Sequence, residues 1–320
     1  MELSQIYESI QDDLLKVKDT LKSVSHVDYP WLSEQLSYLV KETGKGMRPA
    51  LTLLAGKLHK YDLTYLLPMA VSVELMHTAT LVHDDAIDKA LTRRGQATIN
   101  RIWGDEIAVL MGDYLFAKAG EFVADTQTPR VIKLFSQTLA TISSGEISQF
   151  RSAFKLVKNR ENYFHRIYGK TASLFSLSTQ SGAILSQAPE EVVGIMKEYG
   201  DNLGIAFQIV DDILDFTSTE EAMGKPVGSD LIQGTLTLPA ILLIERYPED
   251  NPVKSLFKTG DKKSVALAIE MVLNSSIIED CYEVASEYCD RACHNLDSLP
   301  ENISRKALLE LVEYVIKQGK

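Results

Sequence analysis

The chain has 320 residues, 45% hydrophobic and 24% charged, an ordinary globular composition that argues against intrinsic disorder. With 33 Lys+Arg against 44 Asp+Glu, the formal net charge is −11, the wrong sign for non-specific binding to nucleic acid or an anionic membrane. Phosphorylated substrates stay open, because local charge can oppose the total.

Ile6, Ile10, Leu14, Val17 and Leu21 fall at helical spacing and line one face of a first amphipathic helix. This acidic N-terminal stretch is unlike a signal or transit peptide. Helical periodicity returns over 30–41, 49–60, 64–90, 105–125, 130–156, 160–187, 190–217, 235–246, 262–294 and 304–318. Segments 66–81 and 203–216 are apolar nearly all round, which places them at the centre of a large bundle. No strand alternation and no hairpin signal stands out. No apolar run approaches a membrane span, so the expectation is a cytoplasmic protein without stable membrane insertion. Cys281, Cys289 and Cys293 are odd in number and lack metal-site spacing, and read as reduced thiols near the C-terminus. The breaks at 43–49, 89–96 and 218–234 carry basic residues, and none resembles an interdomain linker. One all-α domain over 1–320 is the expected organisation.

Two stretches share the pattern D-D-x-x-D: Asp84-Asp85-Ala86-Ile87-Asp88 and Asp211-Asp212-Ile213-Leu214-Asp215. On a helix, residues four apart share a face, so each motif presents paired carboxylates. Both follow apolar helical sequence, where clustered carboxylates need a compensating cation or protonate. Hard divalent cations suit oxygen ligands, and Mg²⁺ combines one or two carboxylates with substrate phosphates. Two such clusters point to several Mg²⁺ ions bridging to a polyphosphate. Asp12-Asp13, beside Lys16 and Lys18, lacks the third aspartate and reads as surface charge. Cations complete the constellation. Lys45 and Arg48 stand in Gly44-Lys45-Gly46-Met47-Arg48-Pro49, Arg93 and Arg94 follow the first cluster, Lys170 sits in Tyr168-Gly169-Lys170-Thr171, and Lys225 follows Gly224. Arginine offers bidentate phosphate contacts and lysine a mobile point charge.

At these residues the sequence resembles the trans-polyprenyl diphosphate synthases, head-to-tail isoprenoid chain elongators, with motifs running from Gly44 to Pro239. The resemblance implies an all-α isoprenoid-synthase bundle around a deep central cavity. It implies a homodimer, with a heteromer as the alternative, and a Mg²⁺-dependent condensation of isopentenyl diphosphate with an allylic diphosphate. It makes Asp84, Asp85, Asp88, Lys170, Asp211 and Asp212 the catalytic set, and the six motif aspartates, including Asp215, the Mg²⁺ ligands. Arg93, Lys170, Thr171, Gln208 and Lys225 would support the allylic diphosphate, and Lys45, Arg48, His77 and Arg94 isopentenyl diphosphate. His83 reads as a histidine that either supports the site residues from behind or is simply packed. Two positions depart from the family: Thr43 replaces a frequent glycine, and Thr235 replaces a frequent lysine.

A product growing from the first cluster passes the preceding helical turn, about 6–7.5 Å deeper, at Thr80 and Ala79. In the family a bulky aromatic there ends elongation early. These small residues imply a long-chain product, with a geranylgeranyl- or farnesyl-length synthase as the alternative. A class I terpene cyclase, a non-catalytic partner subunit and a metal-dependent phosphate-binding regulator are the rival classes. Cyclases usually lack the second aspartate motif, and partner subunits tend to lose the aspartates.

Overall fold

The computed structural model describes residues 2–41, 44–93, 95–156, 160–220, 226–249, 251–261 and 263–318. Most of them are helical. Helices α1 (Leu3–Ile6), α2 (Gln11–Ser23), α3 (Pro30–Lys41) and α4 (Met47–Gly56) lead into the long α5 (Leu63–Ile87). A two-stranded hairpin, β1 (Thr92–Arg93) and β2 (Gln96–Ala97), precedes α6 (Ile99–Trp103), α7 (Asp105–Asp125) and α8 (Pro129–Ser152). After α9 (Arg160–Ile167) comes a π-helical turn (Tyr168–Ala172), then α10 (Ser173–Leu185) and α11 (Glu190–Thr217). The remaining helices are α12 (Ser229–Ile232), α13 (Leu238–Arg246), α14 (Pro252–Thr259), α15 (Lys263–Leu273), α16 (Ile277–Asn295) and α17 (Ile303–Lys317).

The central elements are those whose sequence is apolar on every face. Helix α5 starts where the Asp62 carboxylate accepts from the Thr64 N–H at 2.9 Å, and it packs on α4, α7 and α10. Helix α10 packs on α4, α5, α8 and α11 and is buried along nearly its whole length. Its serines and threonines are tolerated there because their hydroxyls find carbonyls. Ser178 donates to Leu174 O at 2.8 Å, and Thr179 reaches across to Met196 O on α11 at 2.6 Å. One continuous apolar cluster runs from Ile6 to Val315 and includes the fully buried Tyr199 and Phe216.

Five expectations need correction. Residues 160–187 are not one helix, because the π turn adds a wider coil between α9 and α10. Segment 262–294 is likewise split, into α15 and α16. The hairpin was unforeseen, since two-residue strands carry no alternation to read. The 25-residue α5 is long and apolar enough to cross a membrane by length and composition, although 61% of its most apolar window is buried in the protein. Its polar positions, Glu74 and His77 among them, interrupt the uninterrupted run that sequence inspection sought. Finally, Asp13 is more than surface charge: it accepts a 2.6 Å hydrogen bond from Tyr61 Oη and pairs with Lys16 at 2.9 Å.

Candidate active site

Both aspartate motifs sit at the C-terminal ends of long helices. Asp84 and Asp85 lie in the last turn of α5 with Asp88 as its C-cap, and Asp211, Asp212 and Asp215 lie in the last two turns of α11. Neither last turn carries a basic residue. A helix C-terminus already bears partial negative charge, so carboxylates there are in the least favourable place on the helix. Such an arrangement concentrates negative potential and calls for cations.

At the first cluster the cations come from the protein. Arg93, presented by β1, donates from Nε to both Asp85 oxygens at 2.9 Å, and its terminal nitrogen lies 2.8 Å from Oδ1. Burial still pushes the Asp85 carboxyl up, because the Arg93 guanidinium only partly offsets desolvation. Lys170, from the π turn, lies 3.5 Å from Asp84 and 2.7 Å from Glu146 on α8. Burial alone would lower the Lys170 pKa, but Asp84, Glu146 and Asp88 together outweigh it and keep the ammonium charged. Burial raises the Glu146 carboxyl, against the pull of Lys170.

At the second cluster the described partners of Asp212 are neutral donors. Asp212 is buried and accepts from Tyr163 Oη at 2.7 Å and from Gln208 Nε2 at 2.9 Å. Its pKa is pushed up to about 7, by burial first and then by Asp230, with both donors pulling the other way. Asp215 accepts from Ser229 Oγ at 2.8 Å and from the Asp230 N–H at 3.2 Å, so it anchors the loop that follows α11. Asp211 is exposed.

The π turn joins the two clusters. Successive residues reach opposite sides: Lys170 meets Asp84, while Thr171 Oγ1 donates to Gln208 Oε1 at 2.5 Å and Gln208 continues to Asp212. Single-turn π segments often mark functional positions. Two glycines bring α8 against this turn. A Cβ on Gly145 would come within 3.2 Å of the Lys170 backbone nitrogen, and one on Gly169 within 3.4 Å of Gly145 Cα.

His77 lines a cavity of about 100 Å³ beside α5, together with Gly44, Glu74, Asp85 and Arg93. Lys45 and Arg48 are placed differently: Lys45 donates to Gln318 at 2.7 Å and lies over the Tyr314 ring of α17, and Arg48 lies over the Phe175 ring. Arg94 and Lys225, with Thr43, fall outside the described residues. Thr80, half-buried, lies on the Asp84 face one turn back, whereas Ala79 is fully buried. His83 is packed, with Nε2 3.0 Å from Val109 O and its ring edge-on to Phe116. Glu146, Tyr163, Ser229 and Asp230 were missed by sequence reasoning. Ser229 and Asp230, inside the recognised loop 218–234, had a local signal.

Among the described residues no group of three or more His, Cys, Asp or Glu is arranged to hold a metal ion by itself. The donor set fits a cation that shares its shell with a ligand: hard carboxylate oxygens, partly buried, at two helix C-termini.

Comparison with known proteins completes the picture. The polyprenyl synthetase family model matches residues 29–274. The chain is 38% identical over 318 residues to heptaprenyl diphosphate synthase component 2 of Geobacillus stearothermophilus, covering 99% of each protein. It superposes on a decaprenyl diphosphate synthase from Rhodobacter capsulatus with a TM-score of 0.92, at 33% identity and 100% coverage of both chains. A polyprenyl synthase from Caulobacter crescentus CB15, complexed with calcium and isoprenyl diphosphate, gives 0.93 at 29% identity, covering 98% of this chain and 97% of that one.

Proposed function

Because the chain belongs to the polyprenyl synthetase family, with the all-α fold of its prenyl synthase relatives, we propose that the two aspartate clusters and the π turn between them form a single prenyl-transfer site. The reaction is head-to-tail addition of isopentenyl diphosphate to an allylic diphosphate, giving a trans-polyprenyl diphosphate. The observation that carries this reading is the bridge at 170–171, which ties a cation to the first cluster and a hydroxyl–amide relay to the second.

Asp84, Asp85, Asp88, Asp211, Asp212 and Asp215 are the residues that would hold Mg²⁺, with Asp215 having to exchange its loop contacts to do so. Bound Mg²⁺ supplies positive charge to the diphosphate oxygens as the allylic C–O bond ionises. Lys170 and Arg93 add fixed positive charge beside that leaving group, and Thr171 and Gln208 offer uncharged polar contacts. His77, with Arg48, Lys45 and Arg94, would orient isopentenyl diphosphate, and Lys225 would support the allylic group. The apolar side of α5, which lines the cavity with His77, would keep water from the cationic intermediate. No described side chain need act as base, because the departed diphosphate can take the final proton.

The small residues Ala79 and Thr80 support a long-chain product, as do relatives named for heptaprenyl and decaprenyl products. The whole chain reads as one domain, working as a homodimer in the cytoplasm. Val109 and Leu110, 47% and 63% exposed on α7, offer an apolar surface to a second copy. A second reading, the catalytic subunit of a heteromeric synthase, is favoured by the relative named component 2.

Purified protein supplied with Mg²⁺, labelled isopentenyl diphosphate and farnesyl or geranylgeranyl diphosphate tests both. Label in extracted polyprenyl chains supports the homomeric reading. Incorporation only after a partner is added transfers the support to the heteromer, and cyclic hydrocarbon without isopentenyl uptake would indicate a cyclase.

A further inference from the structure

Glu146 is the carboxylate for which the reaction has no evident use. It projects from α8 into the first cluster, where the Lys170 ammonium lies 2.7 Å from it and 3.5 Å from Asp84. All three side chains are largely withdrawn from water, at 20%, 28% and 14% exposure for Glu146, Lys170 and Asp84. Charges in such a setting attract several times more strongly than in bulk water, so the carboxylate that captures the lysine is effectively neutralised. A lysine closed on Asp84 would occupy the carboxylate that a cation needs.

The arrangement is built into the backbone. Gly145 lets α8 approach until a Cβ would press on the Lys170 backbone nitrogen at 3.2 Å, and Gly169 returns the close approach from the π turn. The charged groups around Lys170 are Glu146 from α8 and Asp84 and Asp88 from α5. Of these three, Glu146 is the one that draws it away from the aspartates.

We propose that Glu146 is a positioning residue that retains the Lys170 ammonium on the α8 side and so keeps Asp84 open to a cation. This rests on the assignment of Asp84 as a metal ligand. Glu146 touches neither substrate nor metal in this role, and it acts only through Lys170.

The test is Mn²⁺ binding followed by electron paramagnetic resonance, with inorganic diphosphate present, on the full chain and on Glu146→Gln, Lys170→Gln, the double variant and Asp84→Asn. Glu146→Gln should weaken Mn²⁺ about tenfold, and the effect should vanish when Lys170 is already glutamine, a coupling that a double-mutant cycle isolates. Gly145→Ala, which presses on the backbone of residue 170 and so shifts where its ammonium is held, is the second variant should Glu146→Gln fail to fold. It too should weaken Mn²⁺ only while Lys170 is present. An unchanged affinity in these variants overturns the proposal. So does an equal loss with and without Lys170, which would mean that Glu146 acts merely as negative charge. Mn²⁺ binding that ignores Asp84→Asn would overturn the metal assignment itself, and with it this role. Loss in Asp84→Asn alone would leave that assignment standing and remove only Glu146.

Discussion

The two aspartate clusters share a sequence pattern and a place at a helix C-terminus, yet the protein balances them differently. The first is met by charge: Arg93 clasps Asp85, and Lys170 stands between Asp84 and Glu146. At the second, dipoles meet two of the carboxylates: Tyr163 and Gln208 on Asp212, Ser229 and a backbone N–H on Asp215. A neutral donor stabilises a buried carboxylate less than a cation does. Burial wins at Asp85 despite its cation and wins further at Asp212, whose pKa reaches about 7, so Asp212 is the more dependent on protons or metal.

The sharpest test of that division is to remove one carboxylate from each side. Asp84→Ala and Asp211→Ala should each lower turnover by roughly 10³-fold or more, with unchanged helical circular dichroism. If only one did so, the clusters would not work as a unit.

The next effect is on stability against pH in the absence of metal. The folded-state pKa of Asp212 lies above its unfolded value, so its protonation favours the folded state. Its contribution is fully present below about pH 4 and is lost as pH rises through about 7. The cost above pH 7 amounts to roughly 4 kcal/mol at most. Asp85, also raised by burial, adds a contribution of the same sign. Thermal melts in chelator should therefore fall between acidic and neutral pH, Asp212→Asn should flatten that fall, and Mg²⁺ with inorganic diphosphate should reverse it. A melting temperature that instead rises over this range would contradict the assignment.

Tyr163→Phe removes one of the two donors that hold Asp212 and should cost about 1–3 kcal/mol at pH 8, read from chemical unfolding. The corresponding Asp85 donor, Arg93, should matter more for turnover than for folding. Smallest in free energy but clearest in outcome, Thr80→Phe should shorten the product, because Thr80 shares the face of Asp84. Ala79→Phe should shorten it as well, with a stability penalty from overpacking a fully buried position.

Much of this was legible in the sequence, for reasons that also explain the gaps. Helical periodicity is a local property, so α5, α7, α8 and α11 could be placed within a few residues of their observed bounds. The aspartate motifs are local as well. The π turn was hidden because Tyr168–Ala172 continues the helical pattern while changing only the coil. Partners that cross the fold leave no local mark: Tyr163 meets Asp212 from 49 residues away, and nothing in the sequence beside Glu146 points to Lys170. The −11 net charge, read first as an argument about partners, now has a local counterpart. At the first cluster Arg93 and Lys170 oppose it, and at the second the raised pKa of Asp212 makes that carboxylate depend on bound cations or protons.

Incorporation of labelled isopentenyl diphosphate by the isolated wild-type chain, with Mg²⁺ and with chelator, tests the central claim most directly. The account predicts Mg²⁺-dependent label in polyprenyl chains longer than geranylgeranyl, abolished by Asp84→Ala and by Asp211→Ala alike. Chains of that length formed equally well by both variants would contradict it.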